Sequence, residues 1–215
     1  VGFGVVAQNQ HRAASMATTD AELFGLETHA RANQTIANVG FGLAAAIGVQ
    51  RDQHLLEIGS GWGGFAVTAA KEFGAKVTSV TISREQHAYA SRRVFDEGLN
   101  DRVEIRLQDY RDIDGRFDRL ASIEMFEAVG EKFWPVFFDR LRERLSPDGV
   151  AGLQIITIAD RYFDAYRKGV DFIQKYIFPG GMLPSLGALD REYARAGLTL
   201  TGLHAFGQSY ARTLG

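Results

Sequence analysis

The stretch HLLEIGSGWGG, residues 54–64, decides the fold of this 215-residue chain. Leu55, Leu56 and Ile58 make a short apolar run of strand length, and the glycines behind them end it in a tight turn. Residues 65–73 then carry helical periodicity, with Gly74 as the stop. Strand, glycine turn and helix in that order form the opening unit of a doubly wound α/β sheet, which binds ligands beyond the carboxyl ends of its strands.

Working outward, the alternation repeats. Residues 76–82 (KVTSVTI) read as strand, 83–97 as helix stopped by Gly98, 103–107 and 117–123 as strands, and 131–145 as helix. Pro147, Asp148 and Gly149 turn the chain into the apolar run 150–158, and a helix near 189–196 precedes a last strand at 198–206. Such alternation predicts a mainly parallel sheet covered on both faces. Upstream, Thr19-x-x-Glu22 has capping-box spacing, so helices are expected to about Ala32 and again to about Ile47, behind a leader over residues 1–18. The division expected is an N-terminal helical segment, 1–52, and one domain, 53–215, with an insert at about 160–187. The start at Val1 without Met and the end at Gly215 suggest part of a longer polypeptide.

Composition narrows the function. With 46% hydrophobic and 23% charged residues the chain can build one sizeable core. Its 24 Lys+Arg against 26 Asp+Glu give no global positive field for nucleic acid. The absence of cysteine removes disulfides, thiolate nucleophiles and thiolate metal sites, and the five histidines lack paired ligand spacing, so no metal is expected. No apolar run reaches the 18 residues of a membrane span, so any membrane contact is expected to be peripheral.

The glycine loop fits GxGxG through Gly59, Gly61 and Gly63, and GxGxxG through Gly59, Gly61 and Gly64, so it admits S-adenosylmethionine or a dinucleotide. A dinucleotide site wants a carboxylate at the end of the second strand, and here that strand ends Val80-Thr81-Ile82-Ser83. That favours S-adenosylmethionine. Glu57 either faces the positively charged methionine end of such a cofactor or caps nearby loop N–H groups. Gln86 either contacts the ribose or completes the capping box Ser83-x-x-Gln86.

Taken in order, LLEIGSGWGGFAVTAA, VTSVTISREQHAYA, LQDYRD, SIEMFEAVGEKFW and YIFPGGMLPS make the chain, from about Leu55 to Thr213, resemble the cyclopropane-fatty-acyl-phospholipid synthases, a family of S-adenosylmethionine-dependent methyltransferases. The resemblance implies a class I methyltransferase sheet, Rossmann-like and doubly wound, with a helical lid insert. It also implies methyl transfer to a cis double bond of a phospholipid acyl chain, followed by proton loss that closes a cyclopropane ring. Gly59, Gly61 and Gly63 fall in the family's cofactor loop, Thr81, Ile82 and Gln86 on its ribose and adenine segment, and Tyr110 beside the adenine. Glu127 of MFEAVG matches the active-site glutamate, and Tyr210 of FGQSYART matches a tyrosine that helps hold bicarbonate as general base. An alkene is a weak nucleophile, so the site has to orient it, stabilise a carbocation-like centre and then remove a proton, and a carboxylate would favour the developing charge directly or through a bound anion's hydrogen-bond network. Glu127 is the residue so assigned, with capping of the helix near Glu131 as its alternative role; Glu124 reaches the same site only if its strand has ended by then.

Three departures qualify the likeness. Ile156 stands where the family has a histidine, with Gln154 the nearest polar residue; no cysteine is present; and the family's closing helix and strand have no counterpart after Gly215, which would expose a sheet edge. Hence other outcomes stay open: a methyl- or methylene-branched chain, another small-molecule acceptor, or a non-catalytic cofactor-binding protein. The aromatics Tyr162, Phe163, Tyr166, Phe172, Tyr176, Ile177 and Phe178, interleaved with Arg161, Arg167, Lys168 and Lys175, read as a substrate lid, against a plain helix packing on the sheet. The partner expected is a phospholipid acyl chain at a membrane surface, with a homodimer left open. The setting expected is cytoplasmic, at the inner face of the membrane.

Overall fold

The computed structural model describes residues 2–9, 40–169 and 181–205. Seven strands, β1 (Gly2–Asn9), β2 (His54–Ile58), β3 (Lys76–Thr81), β4 (Val103–Leu107), β5 (Phe117–Ile123), β6 (Leu145–Thr157) and β7 (Thr199–Ala205), form one sheet. Its order is β4-β3-β2-β5-β6-β1-β7, and every pairing is parallel. Helices α1 (40–46), α2 (Gly64–Phe73), α3 (Arg84–Asp96), α4 (Trp134–Arg144), α5 (Asp160–Lys168) and α6 (Leu186–Arg195) connect and cover it.

Local chemistry explains the boundaries nearest the glycine turn. Leu55, Leu56 and Ile58 are at most 3% exposed, as a central strand buried on both faces requires. α2 buries Phe65, Ala66, Val67, Ala69 and Ala70 and ends where Gly74 turns left-handed and returns its N–H to the carbonyls of Ala69 and Ala70. At α3 the Ser83 hydroxyl accepts the Gln86 N–H at 3.1 Å, the N-cap expected from the sequence.

Each face has its own core. On one, Leu43 of α1, Ile47 in the turn after it, Phe65 of α2 and Val94 of α3 pack over Leu55 and Val77. On the other, Trp134, Phe137 and Phe138 of α4 and Leu189 of α6 pack over Leu56, Leu120 and Leu153. Phe126, in the turn after β5, sits 5.0 Å from Phe137 and 5.4 Å from Trp134 between ring centroids. Burying each ring stabilises by about 1.5–3 kcal/mol, so this cluster fixes the turn that follows β5.

Strand order reverses between β2 and β5, which places a crevice beyond their carboxyl ends. The reading of residues 1–18 as a leader, and of 1–52 as helical, needs correction at its start. Gly2–Asn9 is a strand, held between β6 and β7 through Gly2↔Val150 to Asn9↔Thr157 on one side and Gly2↔Thr199 to Ala7↔Ala205 on the other. The adjacent Val5 and Val6 supply strand propensity, and the open side of β6 supplies the backbone partners. That side of β6 is therefore paired, and the outer strand is β7. The helix expected to Ala32 lies outside the described residues, and no described helix is long and apolar enough to cross a membrane.

Candidate active site

A cavity of about 530 Å³ opens at the crevice, lined by Ile58 and Gly59 of the first turn, Thr81, Ile82 and Gln86 at the end of β3, and Tyr110 after β4. Five residues of the predicted cofactor set therefore share one wall system. Gly59 has φ +96, and a Cβ there would stand 2.9 Å from Met125 Cγ, so only glycine lets the turn after β5 close on it. Gly61, at φ +48, has open space where its Cβ would be. Ile82 is 78% exposed at the mouth of this cavity, an apolar surface suited to a flat ring. The Tyr110 ring meets Phe137 edge-on at 5.5 Å, which fixes its plane against the cavity.

Gln86 resolves its two readings in an unexpected way. Its backbone N–H is capped by Ser83, but its side chain does not complete the box; the Thr81 hydroxyl donates to the Gln86 carboxamide oxygen at 2.7 Å. The side chain is thus steered toward the cavity. Residues missed in the sequence also line it, among them Gln108, Asp109, Met125, Lys132 and Phe133. Asp109 opens the segment after β4 and pairs with Arg111 at 2.6 Å, which holds its carboxyl below the usual range. Its place at a strand's carboxyl end was the available signal.

Glu57 does not line the cavity. It is 2% exposed; Ser79 Oγ donates to its Oε2 at 2.5 Å, and the Ser60 hydroxyl lies 2.8 Å from Ser79 Oγ. Burial pushes its carboxyl up to about 8, against the lowering effect of Ser79, so it is mostly protonated at neutral pH. In the chain it immediately precedes Ile58 and Gly59, which do line the cavity.

On the opposite side Met125, Ala128 and Val129 line the cavity, and Glu127 sits among them, without itself lining it, in a short 3-10 turn over Phe126–Ala128. β5 ends at Ile123, so the next N–H of β6 facing that side, at Ile156, loses its strand partner and donates to Glu127 Oε1 at 2.5 Å. The contact uses the backbone, so it does not depend on which side chain position 156 carries. Glu127 caps no helix: its side chain goes to β6, and α4 starts seven residues later. Met182 N–H donates to the Glu127 carbonyl at 2.8 Å, tying the turn to residues beyond α5. Glu127 Oε2 is buried with no hydrogen-bond partner among the described residues. Burial raises this carboxyl to about 7, with the charge of Glu124 adding to the rise and the Ile156 N–H opposing it. An unpartnered buried acceptor oxygen is costly and marks a place where a cation or donor belongs.

Tyr210 lies outside the described residues, as do Phe172, Lys175, Tyr176, Ile177 and Phe178 of the aromatic insert. In its described part, Phe163 of α5 is buried against Trp134 at 6.1 Å, which is core packing, while Tyr162 is 45% exposed under Arg161. Trp134 donates its indole N–H to the Val129 carbonyl at 2.8 Å, a packing role. Trp62, in the glycine loop, is 49% exposed and meets Tyr89 edge-on at 5.3 Å.

Comparison with known proteins places these features in company. The family described as mycolic acid cyclopropane synthetase matches residues 34–215. A tuberculostearic acid methyltransferase of Mycobacterium tuberculosis is 45% identical over 168 residues, which are 78% of this chain and 39% of that protein. The cyclopropane-fatty-acyl-phospholipid synthase of Escherichia coli is 40% identical over 161 residues, 74% of this chain and 40% of that one. The chain therefore spans about two-fifths of the length of these relatives, from the 39% and 40% covered. A solved cyclopropane synthase of Mycobacterium tuberculosis superposes with TM-score 0.72 at 29% identity, over 94% of this chain and 72% of that one.

Proposed function

The chain belongs to the mycolic acid cyclopropane synthetase family, and from that premise we propose that it transfers a methyl group from S-adenosylmethionine to a cis double bond of a phospholipid acyl chain. The observation that carries this reading is a largely apolar cavity of about 530 Å³, lined in part by Met125 and Ala128, beside a turn whose Glu127 has a buried second oxygen with no partner among the described residues. A non-catalytic binding protein would have no use for that oxygen.

When bound, S-adenosylmethionine supplies an electrophilic methyl on a sulfonium that leaves as a neutral thioether. Ile82 and Tyr110 offer apolar faces for the adenine, Gln86 and Thr81 polar groups for the ribose, and Gly61 open space at the loop. Glu57, protonated in the free protein, becomes the counter-charge once a positive group lies near it. As the alkene's π pair forms the new C–C bond, the other alkene carbon becomes cationic, and the Glu127 carboxylate favours that charge. A C–H bond beside the cation then breaks: its electron pair stays on carbon, and its proton passes to Glu127 Oε2.

If the proton leaves the transferred methyl directly, the freed electron pair closes a cyclopropane ring; if a hydride first shifts from the methyl-bearing carbon to the cationic one, loss of a methyl proton leaves a methylene branch, and loss of a proton from a neighbouring chain carbon leaves a methyl-branched alkene. The ring is the first reading. The branched product is the second, favoured by Ile156, which brings no side-chain donor to hold a separate base. For bicarbonate, Glu127 Oε2 is present, Tyr210 is outside the described residues, and position 156 offers nothing. We assign proton acceptance to Glu127 itself, on its buried Oε2 without a partner among the described residues. Acyl chains reach the crevice from a membrane surface, taken here as the cytoplasmic face.

The test is incubation with methyl-labelled S-adenosylmethionine and cis-unsaturated phospholipid vesicles, followed by mass spectrometry of the acyl esters. Label in a ring or in a branched chain selects between the products. Cofactor binding without label in any acyl chain would overturn the lipid reading.

A further inference from the structure

Glu124 is the first residue past β5, and it adopts φ +48, a conformation that glycine takes freely and a side chain takes under strain. Strain of this kind persists where the surroundings hold the residue in place. Here they do so from β6. The Glu124 N–H donates to the Gln154 carbonyl at 2.9 Å, and Gln154 Nε2 donates to Glu124 Oε1 at 3.0 Å.

Gln154 is itself 3% exposed, flanked on its strand by the buried Leu153 and Ile155. A buried carboxamide demands partners that a leucine would not, so its presence is explained by what it holds. Two residues further on, the Ile156 N–H holds Glu127. One strand thus grips the turn after β5 at two points two residues apart, with a carboxylate at each. Among the described residues, the groups acting on Glu127 include the Ile156 N–H from β6, its own backbone N–H, the Met182 N–H on its carbonyl, and Glu124, which supplies the charge.

We propose that Glu124, clamped by Gln154, is a positioning residue of the acceptor site, fixing the turn that carries Glu127 and keeping a second negative charge near it during methyl transfer. The proposal rests on the lipid methyltransferase reading for its catalytic consequence. The clamp and its electrostatic effect on Glu127 stand on the geometry alone.

Glu124→Gln keeps the shape and removes the charge. Since Glu127 must be ionised to accept a proton, kcat rises with pH through its titration. Loss of a nearby like charge lowers that midpoint, by about half a pH unit. Gln154→Leu breaks the clamp and lowers kcat roughly 10-fold, as expected for a misplaced catalytic group, with KM for lipid little changed. A second readout needs no turnover: the infrared carboxylic C=O band assigned by its loss in Glu127→Gln titrates at lower pH in Glu124→Gln than in the unaltered protein. Glu124→Gly, which relieves the backbone, serves as the folding control and shifts the band the same way.

Unchanged midpoints in both the pH–kcat profile and the infrared titration would overturn the proposal, as would a uniform loss of kcat without a shift, which is what a purely structural residue gives. If the infrared midpoint moves while no methyl reaches any lipid, the electrostatic link is upheld and the functional reading is what fails.

Discussion

The two walls of the crevice are built in different ways. On the cofactor side, partners are neighbours in sequence: Ser83 caps the Gln86 N–H three residues on, Thr81 reaches Gln86 across five, and Asp109 holds Arg111 across two. On the acceptor side they are distant: Glu124 meets Gln154 across 30 residues and Glu127 meets Ile156 across 29. A wall made of local turns forms wherever its short motif occurs, whereas one made by tertiary contact exists only once β5 and β6 are in register. Cofactor binding should therefore be separable from methyl transfer.

The sharpest way to break that comparison is Glu127→Gln. We expect kcat to fall about 10³-fold, within the range for losing a general base, while calorimetry finds S-adenosylmethionine affinity within about 3-fold of the starting value. Equal losses in both would show that the walls are not independent.

Next in size is the pH dependence of stability. The Glu57 carboxyl is raised from 4.5 to about 8 in the fold, so between those values the folded chain holds a proton that the unfolded chain has released. Stability then falls as pH rises from about 4.5 to about 8, by on the order of 5 kcal/mol, and Glu127 adds a loss of the same sign up to about 7. Urea midpoints across this window should decline in the unaltered protein and flatten in Glu57→Gln. In the same window, affinity for the positively charged cofactor should rise with pH, an effect that Glu57→Gln removes. A cofactor affinity that ignores pH would detach Glu57 from that wall.

The smallest effect sharpens the local side. Ser83→Ala removes one N-cap and should cost about 1 kcal/mol by urea unfolding, with a modest loss of cofactor affinity and no change in kcat at saturating cofactor. A fall in kcat would mean that the cap reaches the acceptor wall.

What was legible in the sequence follows the same division. The β4 and β5 boundaries, the Ser83 cap and the glycine turn rest on periodicity and short-range chemistry, and they appear in the fold where residues 103–107, 117–123, 83 and 59–64 predicted them. The steering of Gln86 by Thr81 was not legible, because capping and ligand contact share one spacing. Nor was the Glu124–Gln154 clamp: that contact depends on β5 ending at Ile123 and on register with β6, neither of which a local pattern encodes. Strand β1 escaped because its eight residues find partners about 150 and 200 positions away.

The glycine loop has one more property. The chain has two tryptophans, Trp62 at 49% exposure in that loop and Trp134 at 2% within the core. The wet indole is expected to emit to the red of the dry one. A cofactor bound against the glycine loop is expected to alter the surroundings of the first and to leave the second as an internal standard. The ratio of the two bands is thus an unlabelled optical gauge of cofactor loading, usable in turbid lipid suspensions where absolute intensity is not.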